Sequence, residues 1–316
     1  MTRSQRASVN KQKDTNMSIE NKAPGKDVSF DDIQEKIPLV AKKHPSHRTV
    51  IEVAGVKFGG DLIPIFAGPN TVENEEMIVK TARAVKSYGA HFLRGGAYKP
   101  LTFPYRGPKF FELREEGLEY LQKAKEDTGL PIITEVMHVE KITEVADVAD
   151  ILQIGTRNMQ NYPLLEAVAD AGRPVMLKRH FGCSLRDWLG AAEYILHGGN
   201  PNVILCERGV SAPHTHRSSS RFLLDLQVVP AAQEITHLPV VTDPSHATFW
   251  RDWVEPMSLA SIGAGADGIM LEVHPDPENA AVDPLQPIDF ERFGRLMKSM
   301  ERVAQAVDRT LGLERI

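Results

Sequence analysis

The sequence holds only two cysteines, Cys183 and Cys206, far apart and without Cys-x-x-Cys spacing. That argues against a disulfide framework and a zinc knuckle, and it fits a reducing, cytoplasmic setting. An excess of positive charge is also missing: 37 Lys and Arg against 42 Asp and Glu leave a formal net charge of −5. A nucleic-acid or polybasic membrane surface is thereby disfavoured. Any anion site must come from a local concentration of arginine and lysine. No stretch approaches the roughly 18 apolar residues of a membrane span. The opening "MTRSQRASVNKQKDTNMSIENKAPGKD" lacks the apolar segment of a secretory signal.

What is present is a rhythm. Residues 1–28 are polar, show no periodic apolar face and read as a disordered tail, with Met17 a candidate start. "FDDIQEKIPLVAKK" (30–43) predicts a short helix with Asp31 or Asp32 near its N-terminus. "TVIEVAGVKFGG" (49–60) predicts a small β-hairpin, so that 29–60 forms an N-terminal extension. Over 61–312, short β-branched runs alternate with amphipathic stretches. The strand candidates are 63–68, 91–95, 131–136, 151–155, 174–179, 202–208, 239–243 and 268–273. Helical patterns such as 75–89, 115–129 and 185–199 lie between them, several ending in glycine, and 290–312 closes the chain as a long amphipathic helix. Eight β-then-α units in about 250 residues predict an α/β fold, a (β/α)8 TIM barrel; an open doubly wound sheet is the alternative.

In such a barrel the C-terminal strand ends face the active site. Those ends carry Asn70; Arg94 and Lys99; Glu135; Gln153 and Arg157; Lys178 and Arg179; Glu207 and Arg208; Asp243 and His246; Glu272 and His274. Taken singly, each charge is a loop residue or half of a structural ion pair. As a set, Arg94, Lys99, Arg157, Lys178 and Arg208 would repel one another in a confined mouth unless an anionic ligand answered them. A phosphorylated, carboxylated small molecule has the matching chemistry. The stretch "FLRGGAYKPLTFPYRGP" (92–108) then makes sense as a strand that fixes Arg94, followed by glycines that let backbone approach a ligand. His246, Glu272 and Asp283 form a second cluster: either a divalent-cation site or a histidine–carboxylate network. "HTHRSSSR" (214–221) reads as a loop over the site rather than a metal tract.

These words resemble a known family. "AGPNTVE", "FLRGGAYKP", "LPIITEVM", "ADILQIGTRNMQN", "VMLKR", "GNPNVILCERG", "LPVVTDPSHAT" and "GADGIMLEVHPDPENA" occur in family order, with Asp283 to Gln286 as the final D-x-x-Q. The chain resembles the type I 3-deoxy-7-phosphoheptulonate (DAHP) synthases of the shikimate pathway, in the branch shared with 3-deoxy-octulosonate 8-phosphate synthases. The resemblance implies a (β/α)8 barrel that joins phosphoenolpyruvate to an aldehyde, by default D-erythrose 4-phosphate. The products would be a 3-deoxy-2-ulosonate and phosphate, as the first step of aromatic amino acid biosynthesis. It implies that Arg94, Lys99, Gln153, Arg157, Lys178 and Arg208 hold phosphoenolpyruvate, and that Lys99, Glu135, His246 and Asn70 occupy catalytic positions. His246, Glu272 and Asp283 match three of four ligands of a divalent metal (Mn, Fe, Zn or Co). A homodimer or homotetramer is the family precedent.

Three departures cluster around the second substrate. Asn70 replaces the metal-binding cysteine of "AGPC", and asparagine there accompanies metal independence in the octulosonate relatives; an amide is a poorer transition-metal ligand than a thiolate. "KPRTS" reads "KPLTF", with Leu101, Thr102 and Phe103 on the acceptor side. Phe249 and Trp250 stand at a Gly-Arg pair, and His180 replaces a glycine. Arg221 matches a family arginine, and Arg106 and Arg217 lie in the same or adjacent loops. Two readings follow: an acceptor less anionic than erythrose 4-phosphate, or drift compensated by those arginines. A non-catalytic barrel that binds a phosphorylated metabolite is the rival of another class, but it has no need of Glu135, Gln153 or the His246–Glu272–Asp283 set.

Overall fold

Side-chain parity builds this fold. Phe66, Phe92, Ile133, Ile151, Met176, Ile204, Val241 and Met270 share one buried cluster, while their sequence neighbours Ile65, Leu93, Ile132, Leu152, Leu177, Leu205, Val240 and Leu271 share another. Strands apolar on both faces need cover on both sides, which a closed parallel barrel wrapped in helices provides. The computed structural model describes residues 34–100, 112–214, 216–217 and 222–313. The closed barrel runs β3 (Ile65–Gly68), β4 (Phe92–Arg94), β5 (Ile132–Glu135), β6 (Ile151–Ile154), β7 (Val175–Lys178), β8 (Val203–Glu207), β11 (Val240–Thr242) and β12 (Gly268–Glu272), and β12 pairs back onto β3. All neighbouring pairs are parallel. The barrel expectation holds, each strand starting or stopping up to two residues inside its sequence-derived range.

Helices follow the strands: α1 (Glu75–Ser87), α2 (Glu115–Thr128), α3 (Ile142–Val148), α4 (Tyr162–Ala169), α5 (Leu185–His197), α6 (Val228–Ile235), α7 (Pro244–Thr248), α8 (Arg251–Gly263) and α9 (Phe290–Ala306). All but the short α7 at the mouth bury an apolar stripe against the outside of this wall. Their starts are chemically marked. Asn74 accepts the Met77 N–H at α1, Asp289 accepts the Arg292 N–H at α9, and Ser184 with Asp187 makes a capping box at α5. Such caps contribute about 1 kcal/mol each.

Below the barrel, β1 (Ile51–Val53) and β2 (Val56–Phe58) form the antiparallel hairpin expected for 49–60. Its Ile51, Val53 and Phe58 join the inner cluster, with the Phe58 ring 5.5 Å from Phe66 and 5.4 Å from Phe92. The hairpin therefore floors the barrel, leaving the opposite mouth as the chemical end. The helix expected over 30–43 is limited among the described residues to 34–36; 38–40 form a turn and Ala41 bridges to Thr236. Pro38 explains the stop, because a helix disfavours the residue before proline. The 1–28 tail and the Asp31 or Asp32 cap lie outside the described residues.

Candidate active site

Followed toward the chemical mouth, the inward residues of the strands turn polar. Two steps beyond inward Phe92 is Arg94, beyond Ile133 is Glu135, beyond Ile151 is Gln153, beyond Met176 is Lys178, beyond Val241 is Asp243 and beyond Met270 is Glu272. Arg208 stands two beyond Cys206. A cavity of about 860 Å³ opens there, lined by Asn70, Arg94, Lys99, Glu135, Gln153, Arg157, Lys178, Arg208, His246 and Asp283. The five cations singled out in the sequence thus share one cavity. Two glycines make the crowding feasible. A Cβ at Gly68, where φ is +150°, would collide with the Arg94 carbonyl oxygen, and one at Gly155 would overlap the Glu135 carboxylate.

Opposite charges are interleaved with the cations. Lys178 Nζ donates to Asp243 Oδ2 at 2.7 Å, and His246 Nδ1 lies 2.8 Å from the same oxygen. His246 Nε2 is 3.0 Å from Glu272 Oε1, which is also 3.2 Å from Arg94 Nη1. Burial would raise both carboxyl pKa values, but the neighbouring cations outweigh it. His246 and Arg94 hold Glu272 down at about 2, and His246 and Lys178 hold Asp243 well below the usual carboxylate range. Lys99 moves the other way: burial, with Arg94 and Lys178 nearby, lowers its pKa against the pull of Glu135 and Glu272. Glu135 Oε1 is buried with no hydrogen-bond partner among the described residues, whereas Arg94 Nη1, His246 Nδ1 and Glu272 Oε1 meet opposite charges. Unsatisfied groups of this kind are costly, about 1–3 kcal/mol each, and are retained where a ligand completes them.

Asn70 sits between Lys99 and Asp283. Lys99 Nζ donates to Asn70 Oδ1 at 2.5 Å, and Asn70 Nδ2 donates to Asp283 Oδ2 at 3.1 Å. The neighbours fix the amide's orientation, since an ammonium only donates and a carboxylate only accepts. The residues therefore do not make a ready metal site. The one amide oxygen with ligating power already holds an ammonium, and the amide NH2 faces Asp283. His246 and Glu272 meet, but among the described residues no group of three His, Cys, Asp or Glu is close enough to hold a metal ion.

Three strand-end residues face elsewhere: Arg179, Glu207 and His274, the last bonded to Glu73 and the Asp276 N–H. Arg179 and Glu207 have outward parity: Arg179 Nη1 lies 3.0 Å from Glu207 Oε2 and 2.8 Å from Asp225 Oδ2. Glu207 Oε1 accepts the Gly209 and Asp225 N–H groups at 2.6 and 3.3 Å, tying together the two ends of the excursion that carries β9 (Val210–Ser211) and β10 (Phe222–Leu223). Burial raises the Glu207 pKa despite the opposing Arg179. Asp243 stands among the strand ends read from the sequence but was given no role in the site. Its signal was available: inward parity with Val241, just before Pro244 at a helix start.

Phe181, Phe222 and Phe249 line the cavity. Trp250 is instead covered by the Arg217 guanidinium, 3.5 Å from its ring centre. The Arg208 guanidinium lies 4.3 Å from the Phe222 ring. Leu101, Thr102, Phe103, Arg106 and Arg221 lie outside the described residues.

Comparison with known proteins agrees with this geometry. The profile of the DAHP synthetase I family matches residues 36–309. The phospho-2-dehydro-3-deoxyheptonate aldolase of Thermotoga maritima is 43% identical over 269 residues, covering 85% of this chain and 78% of the relative. A 2-dehydro-3-deoxyphosphooctonate aldolase of Geobacter sp. (strain M21) is 29% identical, covering 82% of this chain and 98% of the relative. Among solved structures, the Thermotoga maritima phospho-2-dehydro-3-deoxyheptonate aldolase (DAHP synthase) superposes with TM-score 0.80 at 42% identity, covering 86% of this chain and 78% of that one. A truncated form of 3-deoxy-D-arabino-heptulosonate 7-phosphate synthase from the same organism gives 0.78 at 40%, covering 87% and 99%. A barrel with this mouth, matched by the family profile over nearly its whole described length, belongs to the DAHP synthetase I family.

Proposed function

We propose that the chain condenses phosphoenolpyruvate with D-erythrose 4-phosphate and water to give 3-deoxy-7-phosphoheptulonate and inorganic phosphate. The observation that carries this reading is the single cavity shared by Arg94, Lys99, Arg157, Lys178 and Arg208, with the unpartnered Glu135 Oε1 beside them. The arginine forks and lysines hold the phosphate and carboxylate of phosphoenolpyruvate. C3 of the enol forms the new bond to the aldehyde carbon. Lys99, its pKa lowered by burial, gives a proton to the aldehyde oxygen as that oxygen becomes a hydroxyl. Positive charge developing at C2 is met by water, whose proton passes to Glu135. The C2–O bond of the resulting tetrahedral intermediate then breaks and phosphate leaves. Positioning and electrostatic stabilisation are the protein's main contributions. Phosphate release from phosphoenolpyruvate only when an aldehyde is present, with the product mass of the condensed acid, tests the reading.

The same chemistry on a less anionic aldehyde is the second reading, favoured by the Phe181, Phe222 and Phe249 wall. The reaction proceeds without a required metal, an inference supported by the engagement of both ends of the Asn70 amide. Residues 61–312 are the catalytic unit and 29–60 the extension that floors it. A homodimer or homotetramer in the cytoplasm is proposed, the compartment supported by two free cysteines. Among the described residues no helix is long and apolar enough to cross a membrane.

A further inference from the structure

Glu73 lies three residues beyond Asn70, in the loop after β3, and does not line the cavity. Its Oε1 accepts the Ala281 N–H at 2.8 Å and lies 3.1 Å from His274 Nε2. His274 is 5% exposed, and its Nδ1 accepts the Asp276 N–H at 3.0 Å. A nitrogen that accepts carries no proton, so the neutral ring has its proton on Nε2, aimed at Glu73. The backbone thus sets the tautomer, and the tautomer pins the carboxylate. An exposed histidine–glutamate contact would contribute little. This one has a buried partner and a second task, the loop N–H.

That N–H belongs to the residue two before Asp283. Asp283 has φ +50°, left-handed backbone that aspartate tolerates better than most non-glycine residues but that still costs something unless the turn is held. From Asp283 the contacts continue to Asn70 at 3.1 Å and on to Lys99 at 2.5 Å. We propose that Glu73 is a positioning residue: by accepting the Ala281 N–H it fixes the turn that presents Asp283, and through Asp283 and Asn70 it sets the place of the Lys99 ammonium. The geometric half stands alone. The kinetic half rests on the condensation proposed above.

The test compares Glu73→Ala and Glu73→Gln in the full chain. Glutamine keeps an oxygen able to accept both donors, whereas alanine keeps none. Glu73→Ala is expected to lower kcat about tenfold while KM for phosphoenolpyruvate changes less than about twofold; Glu73→Gln is expected to retain kcat within about threefold. In an Asp283→Ala background, Glu73→Ala should cost less than about twofold further, because its route is already cut. A crystal structure of Glu73→Ala should show Asp283 withdrawn from Asn70, whatever the activity. The proposal is overturned if that contact survives in the crystal, if alanine and glutamine lose turnover equally, or if the two losses multiply in full. Absence of turnover in the unaltered protein would instead refute the condensation, and the crystal structure would still decide the positioning role.

Discussion

Lys178 Nζ lies 2.7 Å from Asp243 Oδ2, the two side chains meeting from β7 and β11 across the intervening β8. Both are nearly removed from solvent, at 5% and 0% side-chain exposure. One buried ion pair therefore ties β7 to the end of β11 at the mouth, and Asp243 extends it to His246 at 2.8 Å. Breaking such a pair by removing one member leaves an uncompensated buried charge.

Asp243→Ala is expected to cost about 3–5 kcal/mol of folding stability, measured by urea unfolding. It also removes the acceptor of the His246 N–H at 3.1 Å, which caps the start of α7. Asp243→Asn keeps an oxygen for that cap. It should fold more stably than the alanine variant and still lose about 10- to 100-fold in kcat/KM, because Lys178 and His246 lose their shared counter-charge.

Asn70 makes a prediction about metal. Exhaustive chelation should leave turnover within about twofold of the untreated protein, since the ligand position is an amide held by Lys99 and Asp283. Abolished turnover, restored by one divalent ion, would contradict the donor geometry described above.

A pH dependence of stability follows from His91. Burial lowers its pKa from 6.5 to about 4, against an opposing contact with the Leu311 backbone, and its Nδ1 accepts the Ile65 N–H at 3.1 Å. The unfolded chain therefore binds a proton that the folded chain refuses between those values. Stability from this residue is complete above pH 6.5 and declines as pH falls toward 4, by about 3 kcal/mol in total. Denaturant midpoints measured across that window should show the slope, and His91→Gln should reduce it. Glu272, held at about 2, works lower: its contribution is present above about 4.5 and is lost toward 2.

The acceptor side is tested by reversing its departures. If the aromatic wall excludes a second phosphate, Trp250→Arg with Phe249→Gly should raise kcat/KM for erythrose 4-phosphate relative to an unphosphorylated aldehyde by about tenfold. Phe249 itself sits at φ +53°, so glycine is conformationally tolerated there. An unchanged ratio would favour the compensated reading, with Arg217 and its neighbours supplying the charge.

The sequence made the barrel readable because strand parity needs only local pattern: Phe92 and Arg94, or Met176 and Lys178, fall on one face by spacing alone. Most candidate site residues were legible for the same reason. Parity also separates Lys178 from Arg179 and Arg208 from Glu207, yet a simple inventory of strand ends groups them together. The pairings were not legible. That Asp243 rather than a ligand faces Lys178, or that Glu73 reaches Ala281, depends on contacts between residues some 65 and 208 positions apart, which no local period encodes. The floor of the barrel was half legible: the hairpin showed in its alternation, but Pro38 should have ended the helix drawn through it.

The central claim is that these converging cations bind phosphoenolpyruvate for condensation with an aldehyde. It is tested most directly by incubating the protein with phosphoenolpyruvate and erythrose 4-phosphate, then measuring phosphate release and product mass together. The account predicts one phosphate released per molecule of 3-deoxy-7-phosphoheptulonate formed, with both lost in Lys178→Ala. Phosphate release without a condensed product, or no turnover with any aldehyde although phosphoenolpyruvate binds, would contradict it.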